Sequence, residues 1–178
     1  DGHDIFEEPE EAKKSIGYLP ELPPLYPEMT VFEYLKFVAD IKKVAKNEKE
    51  KMIHKVMEKT RITDMSERLI KHLSKGYKQR VGLAQAILGY PDVIILDEPT
   101  VGLDPMQIIE IRDLIKELAQ EHTVIISSHI LAEISAVCDM VLIINKGKLV
   151  VKDTPNNLSQ YIGSSTTLKL QIKGEKEK

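Results

Sequence analysis

Two apolar runs that each end in polar residues constrain the fold of this chain more than any other feature. They are DVIILDE at residues 92–98 and TVIISSH at residues 123–129. The stretch between them, QIIEIRDLIKELAQE, repeats apolar side chains at helical spacing from Ile108 to Leu118. Nearly continuous apolar runs are typical of parallel strands that are covered on both faces. The pattern therefore predicts a strand–helix–strand unit and a parallel sheet within an α/β fold.

The preceding part of the chain predicts a short strand and then a set of helices. SIGYLP at residues 15–20 is the strand, and the proline-rich ELPPLYPEMT after it predicts an extended loop. Thr30 with Glu33, and Asn47 with Glu50, each fit a capping box that begins a helix. The apolar face predicted for the second of these helices consists of Ile53, Val56 and Met57.

The last part of the chain predicts β structure. MVLIINKGKLVV at residues 140–151 indicates two strands joined by a hairpin turn at Asn145-Lys146-Gly147. The tail STTLKLQIKGEKEK at residues 165–178 begins another alternating strand and ends in charges.

Composition excludes several classes of protein. The chain has 178 residues, of which 42% are hydrophobic and 30% charged, as in a globular protein of one domain or one domain with an appendage. A net charge of -3 gives no bulk attraction to nucleic acid. The single cysteine, Cys138, excludes an internal disulfide and a thiolate cluster. No apolar run reaches the roughly 20 residues of a membrane span.

Two acids, Asp97 and Glu98, directly follow the first of the apolar runs. Ligands of doubly wound sheets bind beyond the carboxyl ends of the strands, so Asp97 is placed to bind Mg²⁺. Glu98 is placed to polarise an attacking water as a general base. The alternative is that both acids only cap the following helix through Pro99 and Thr100. His129, at the end of the second run, favours catalysis, because it delivers a hydrogen-bond donor for a γ-phosphate to the same rim.

A third candidate element is LSKGYKQR at residues 73–80. Ser74 and Gly76 followed by a helix predict a helix N-terminus with free N–H groups, which is a general site for anions. The alternative is a plain helix start.

Taken in order, these motifs resemble those of the nucleotide-binding subunit of an ABC transporter, from residue 1 to about residue 160. VIILDE resembles the Walker B strand, which implies Asp97 for Mg²⁺ and Glu98 as the catalytic glutamate. His129 matches the switch histidine. The resemblance of VGLD to the D-loop implies a dimer interface formed by Gly102, Leu103 and Asp104.

Two further segments resemble family motifs but depart from them. LSKGYKQR is similar to the signature motif, which implies contacts with the γ-phosphate of ATP held by the partner subunit. The signature residues implied are Ser74, Lys75, Gly76 and Tyr77. YLPELPPLYPEMTVFEYL resembles the Q-loop region, which couples to transmembrane helices. Glu21 stands where the family has glutamine, and a carboxylate cannot donate the amide's hydrogen bond. These variations are similar to the ABC-2 type exporter branch.

The resemblance implies a P-loop NTPase-like (RecA-like) parallel-sheet core, incomplete at its N-terminus, with an inserted α-helical subdomain. The implied domains are a core segment at 1–21, the Q-loop and α-helical subdomain with the signature motif at 22–90, the ATPase core at 91–160 and the start of a C-terminal extension at 161–178.

The phosphate-binding loop G-x-x-x-x-G-K-[ST] does not occur in the sequence. The only Gly-Lys pair is Gly147-Lys148, which Leu149 follows. The resemblance implies that DGHDIF falls just after the Walker A helix, so we expect a C-terminal fragment of such a subunit. We expect this fragment alone neither to bind ATP tightly nor to hydrolyse it. We also expect its sheet to have an uncovered edge and an exposed apolar face.

For the parent protein, the resemblance implies an ATPase with ATP and Mg²⁺ as cofactors that drives export. The implied partners are a second nucleotide-binding subunit and a transmembrane permease, without nucleic acid. The implied location is cytoplasmic, peripheral on the inner face of the cell membrane. One alternative is a soluble ABC-type ATPase without a membrane partner. Another is a non-catalytic docking module that uses the proline-rich loop and the following helix, with Tyr26 and Phe32 at its surface.

Overall fold

The computed structural model describes residues 2–160, which form two compact units divided between Val137 and Cys138. The first unit contains α1 (Pro9–Lys14), β1 (Ile16–Leu19), α2 (Val31–Ile41), α3 (Lys46–Lys59), 3₁₀ turns at Thr63–Met65 and Ile70–His72, α4 (Lys75–Ile87), β2 (Val93–Asp97), α5 (Pro105–Leu118), β3 (Thr123–Ser127) and α6 (Leu131–Val137). The second unit contains β4 (Val141–Asn145), β5 (Lys148–Asp153) and a 3₁₀ turn at Pro155–Gln160.

The first unit is built on a parallel sheet with the strand order β1-β2-β3. The segment β2-α5-β3 is the predicted strand–helix–strand unit, and its two strands are direct neighbours. Their register pairs Val93 with Thr123 and Asp97 with Ser127. Because the strands run parallel, the polar residues that follow each strand meet at one rim of the sheet, as the sequence predicts.

The two faces of this sheet differ in exposure. Ile94 and Leu96 are buried in the main core, which also holds the apolar faces of α2 to α5. On the other face, Tyr18, Ile95 and Ile125 form one row across the three strands. Tyr18 is 49% exposed and Ile125 is 52% exposed. The prediction that both faces are covered is therefore wrong for the described residues, because the helices that share this core pack on one face. The expected exposed apolar face is present.

Close packing of β1 against α4 depends on Gly17. A Cβ atom at Gly17 would overlap the Ala86 carbonyl oxygen. The helices are tied together further by Tyr34 of α2, whose hydroxyl donates to the Gln85 side chain on α4. These contacts fix α4, and with it the segment that precedes α4, relative to the sheet.

One of the two predicted capping boxes forms and the other does not. The Thr30 hydroxyl accepts from the Glu33 amide at 3.2 Å, and the Glu33 carboxylate accepts from the Thr30 amide at 2.8 Å. The prediction of a capping box at Asn47 is wrong. Helix α3 begins at Lys46, its N-cap is Ala45, and no side-chain hydrogen bond caps it. The tight turn after α2 sets this start: the Val44 amide donates to the Ala39 carbonyl at 3.0 Å.

The remaining sequence predictions for this unit concern buried faces. Ile53, Val56 and Met57 are fully buried on α3, as predicted. On α5 the buried residues are Ile111, Leu114, Ile115 and Leu118, whereas Ile108 is only half-buried. None of the described helices has the length and apolar character needed to cross a bilayer.

In the second unit, β4 and β5 form the predicted antiparallel hairpin. Asn145 belongs to β4 and pairs with Lys148, so the turn consists of Lys146 and Gly147 alone. Both turn residues have positive φ, 49° and 73°, as the tightest hairpin turns require. Cys138 is half-buried. The strand predicted in 165–178 lies outside the described residues.

The contrast between the two helix starts gives a stability prediction. Thr30→Ala removes the hydroxyl that accepts the Glu33 amide, so we expect the free energy of unfolding to fall by about 0.5–2 kcal/mol. Asn47→Ala is the matched control, because Asn47 caps nothing and alanine suits a helix interior. Denaturant unfolding of the chain measures both variants. An equal loss from the two would contradict the assignment of the caps.

Candidate functional site

Asp97 is the last residue of β2, and its carboxylate lies at the rim of the sheet. The Ser127 hydroxyl, at the end of β3, donates a hydrogen bond to Asp97 Oδ1. The two residues are register partners, so the parallel pairing itself places the hydroxyl beside the carboxylate. Sequence reasoning missed Ser127, although its place at the end of an apolar run next to His129 was a usable signal.

Glu98 has an unusual backbone conformation. Its φ of 46° lies in the left-handed region, which costs a residue other than glycine about 1 kcal/mol or more. The Glu98 amide donates to the Ser127 carbonyl at 3.2 Å and to the Ser127 hydroxyl at 3.3 Å. Ser127 therefore holds both acids, one through its side chain and the other through its backbone.

The Glu98 side chain contacts His129 directly. Glu98 Oε1 accepts from the His129 backbone amide at 3.0 Å and lies 2.9 Å from His129 Nδ1. The carboxylate side chain is 19% exposed, whereas the imidazole is 69% exposed. Oε2 of Glu98 accepts no hydrogen bond from any described residue. The predicted base and the predicted switch histidine thus form one pair at the rim.

This pairing raises the pKa of His129 above its usual value. The hydrogen bond that the Glu98 carboxylate accepts from the ring is the largest cause, followed by the charge of Glu98, and more weakly by the charges of Glu133 and Glu21. Glu21, the residue at the predicted Q-loop position, is exposed in the loop after β1. The structure therefore brings Asp97, Glu98 and His129 to one rim, and the charge of Glu21 acts on His129 without a hydrogen bond or ion pair between these two described residues.

The predicted signature residues surround the N-terminus of α4. Ser74 is the N-cap of the helix and accepts from the Tyr77 amide at 3.3 Å. The Tyr77 hydroxyl donates to Asp64 at 3.4 Å. A cavity of about 210 Å³ opens beside this helix end. Its lining consists of Arg61, Ser74, Gly76, Tyr77, Arg80, Gln107 and Glu110.

The predicted D-loop residues lie against the signature segment of the same chain. The Lys75 ammonium group lies over Gly102, where a Cβ atom would be, and Gly102 has a φ of 68°. A Cβ atom added to Gly76 would lie 2.7 Å from Cδ of Gln107 on α5. Asp104 is the N-cap of α5, and its carboxylate accepts from the amides of Met106 and Gln107, both at 3.0 Å. Leu103 packs against the core.

The predicted site residues thus fall into two groups. One is the rim group of Asp97, Glu98 and His129, on which the charge of Glu21 acts, and the other consists of the signature motif and the D-loop. Within the described chain, no hydrogen bond or ion pair joins the two groups. Sequence reasoning also missed the Arg80–Glu110 ion pair, at 2.5 Å, that borders the cavity. The two residues are 30 positions apart, and although Arg80 ends the LSKGYKQR segment, no motif marks Glu110 as its partner.

The donor set at the rim fits one kind of metal site. No cluster of three or more metal-ligating side chains occurs among residues 2–160. A single carboxylate such as Asp97 suits Mg²⁺, which takes one or two carboxylates and fills its other positions with water and phosphate oxygens. It does not suit zinc, which needs three or four protein ligands.

Comparison with known proteins decides the family of the chain. A family profile described as ABC transporter matches residues 1–101. The chain belongs to the ABC transporter family. Its α/β architecture with a parallel sheet is also similar to solved ATP-binding subunits of this family. One is cbiO1 of Clostridium perfringens, part of the ABC transporter complex cbiONQ, with a TM-score of 0.76, 30% identity and coverage of 83% of this chain and 60% of that chain.

Curated relatives in the ABC transporter family are more similar in sequence. The ABC transporter ATP-binding protein YhcH of Bacillus subtilis is 40% identical over 178 residues, which cover 99% of this chain and 57% of YhcH. The bacitracin transport ATP-binding protein BcrA of Bacillus licheniformis is 42% identical over 151 residues, which cover 84% of this chain and 48% of BcrA. The chain thus spans about half the length of these ABC transporter relatives.

The Glu98–His129 pair gives a prediction about pH. Because the folded-state pKa of His129 is raised, the pair stabilises the fold fully below the ordinary histidine pKa of about 6.5. This stability is lost as the pH rises through the folded-state pKa. Glu98→Gln should lower the His129 pKa toward its ordinary value, as measured by NMR titration of the imidazole. Glu117→Gln on α5, whose carboxylate pairs with Arg61 instead, is the control and should leave the titration unchanged.

Proposed function

We propose that the protein containing this chain is the ATP-hydrolysing subunit of an ABC transporter, which pairs with a second nucleotide-binding subunit and drives export through a membrane permease. The observation that carries this proposal is the Glu98–His129 pair beside Asp97 at one rim of a parallel sheet, in a chain of the ABC transporter family. Such a subunit works at the cytoplasmic face of the membrane.

In this proposal, Glu98 is the general base. Its Oε1 is held by His129, which leaves Oε2 for the water that attacks the γ-phosphorus of ATP. The proton of that water moves to Glu98 as the new P–O bond forms and the bond to ADP breaks. The limited exposure of the carboxylate, 19%, keeps bulk water from competing for it.

His129 holds Glu98 in place and senses the phosphate. Since its Nδ1 side faces Glu98, the Nε2 side of the ring is directed away from the carboxylate and is the one to donate to a γ-phosphate oxygen. The raised pKa of His129 favours the protonated ring, which is the better donor to an anion.

Asp97 would hold Mg²⁺ through its carboxylate, with the Ser127 hydroxyl fixing the carboxylate's orientation. When bound, Mg²⁺ neutralises negative charge on the phosphates. Ser74, Lys75, Gly76 and Tyr77 would contact the γ-phosphate of ATP held by the partner subunit. The capped N-terminus of α4 and the Lys75 ammonium supply positive charge for that contact.

The hydrolytic role is tested with Glu98→Gln in the full-length gene product. Loss of the base should lower kcat for ATP hydrolysis by about 10²–10⁴-fold while ATP still binds. Glu117→Gln serves as the surface control, with unchanged kcat. Absence of ATP hydrolysis in the wild-type protein, or a Glu98→Gln variant as active as the wild type, would overturn the proposal.

A soluble ABC-type ATPase is the competing function, and the loop after β1 favours the transporter. Leu22 in this loop is 78% exposed and Tyr26 is 50% exposed. Tyr26 packs edge-on against Phe37 of α2, with ring centroids 5.3 Å apart. Phe32, the other predicted docking residue, is half-buried and contacts His54 instead. An exposed apolar loop that rests on rigid aromatic rings suits a docking surface for a permease segment.

Docking is tested by co-purification of the full-length gene product with a membrane permease. The double variant Leu22→Ser, Tyr26→Ala should lose at least about tenfold of the captured permease, because exposed anchors dominate such interfaces. Ile41→Ser, at the end of α2, is the matched control, since Ile41 is 63% exposed but lies outside the loop. Equal capture by both variants would show that the loop is not the docking surface, and a wild-type protein that captures no permease would favour the soluble ATPase.

A further inference from the structure

We propose that Glu133 is a positioning residue that, through Thr100, holds the turn carrying Glu98 against the helix that follows His129. The inference deepens the proposed function and rests on it. Glu133 does not touch the rim itself. Its effect on the geometry of the Glu98–His129 pair is indirect, through Thr100 and the backbone of α6.

The contact that carries the inference is buried. Glu133 lies in the first turn of α6, its side chain is 11% exposed, and it accepts a hydrogen bond from the Thr100 hydroxyl. Arg112 of α5 faces the same carboxylate, with Nη2 3.7 Å from Oε1. A charged carboxylate at this depth is costly unless it has such partners. The network therefore joins three separate segments of the chain: the turn after β2, α5 and α6.

Thr100 connects this network to Glu98 through a short turn. The Val101 amide donates to the Glu98 carbonyl at 3.2 Å, and the Leu103 amide donates to the Thr100 carbonyl at 3.2 Å. Glu98 itself is strained, with its φ of 46°. A strained residue keeps its conformation only when the structure holds it from both sides. Ser127 holds its N-terminal side, and Thr100 anchors the turn on its C-terminal side.

Glu133 acts on His129 from the same position. It follows His129 by four residues, and its amide donates to the Ile130 carbonyl at 3.0 Å. Its charge adds to those of Glu98 and Glu21 in raising the pKa of His129. Glu133 thus contacts the turn of the base through its carboxylate and the histidine segment through its backbone amide.

A purely structural role for this network makes a different prediction. In that case, its loss would lower the stability of the protein without changing the Glu98 turn or the ratio of kcat to KM. The two roles are separated by measuring local order at the turn and hydrolysis in the same variants.

The first test compares Thr100→Val with Thr100→Ser. Valine has the shape of threonine but no hydroxyl, whereas serine keeps the hydroxyl. In the chain itself, Thr100→Val should speed hydrogen exchange of the Val101 amide by about tenfold or more, because its turn opens more readily. In the full-length gene product, it should lower kcat at least about tenfold with KM for ATP changed by less than about twofold, since a displaced base costs rate rather than binding. Thr100→Ser should keep the hydrogen exchange of Val101 and the kcat close to their wild-type values.

The second test uses Glu133→Gln. The glutamine keeps an acceptor for the Thr100 hydroxyl, so we expect this variant to fold. It should lower the pKa of His129 and change hydrogen exchange at Val101 less than Thr100→Val does. Arg61→Gln, which removes an exposed ion pair with Glu117, is the control and should change neither quantity.

Unchanged hydrogen exchange at Val101 in Thr100→Val, or an equal kcat loss in Thr100→Ser, would overturn the inference. The exchange measurement needs no ATP hydrolysis, so it tests the inference even where the proposed function fails. A wild-type protein without hydrolysis would overturn the proposed function instead, independently of the result at Val101.

Discussion

The parallel pairing of β2 with β3 is the constraint on which the candidate site depends. It makes Asp97 and Ser127 register partners, so the hydroxyl that orients one acid also receives the amide of the next. A shift of the register by one residue would turn Ser127 to the other face and remove both contacts. The rim chemistry is therefore a product of strand pairing, and the buried residues Ile94 and Leu96 that fix this register also serve the site.

The second organising feature is the left-handed conformation of Glu98. Its strain is tolerated because Ser127 and the turn after Glu98 hold it, and it directs the side chain toward His129 instead of along the strand. A glycine would take this conformation more easily but would carry no carboxylate. The chemistry needs a glutamate at this position, but the backbone conformation there favours glycine. The surrounding hydrogen bonds hold the glutamate in that conformation.

Local patterns predict the elements of this chain well, and long-range contacts are where they fail. The parallel strands, the hairpin and the Thr30 cap follow from short-range rules, whereas the same capping pattern at Asn47 fails because the turn after α2 decides where α3 begins. The contact between Thr100 and Glu133 spans 33 residues and depends on how α5 and α6 pack. No sequence spacing encodes it. The exposure of Tyr18 does not follow from the strand itself, because an apolar strand has the same sequence whether one face is covered or both; only the family resemblance predicts an exposed apolar face.

The backbone conformation of Gly102 predicts the outcome of a genetic selection for revertants. Two features act on Gly102: the end of the Lys75 side chain occupies the place of a Cβ atom but can move aside, whereas the backbone φ of 68° strains any side chain. Shortening Lys75 would relieve only the first of them. A second-site suppressor at position 75 should therefore fail to rescue a side chain at position 102. Selection for revertants of such a change would return glycine itself or substitutions that reshape the loop between Thr100 and Asp104.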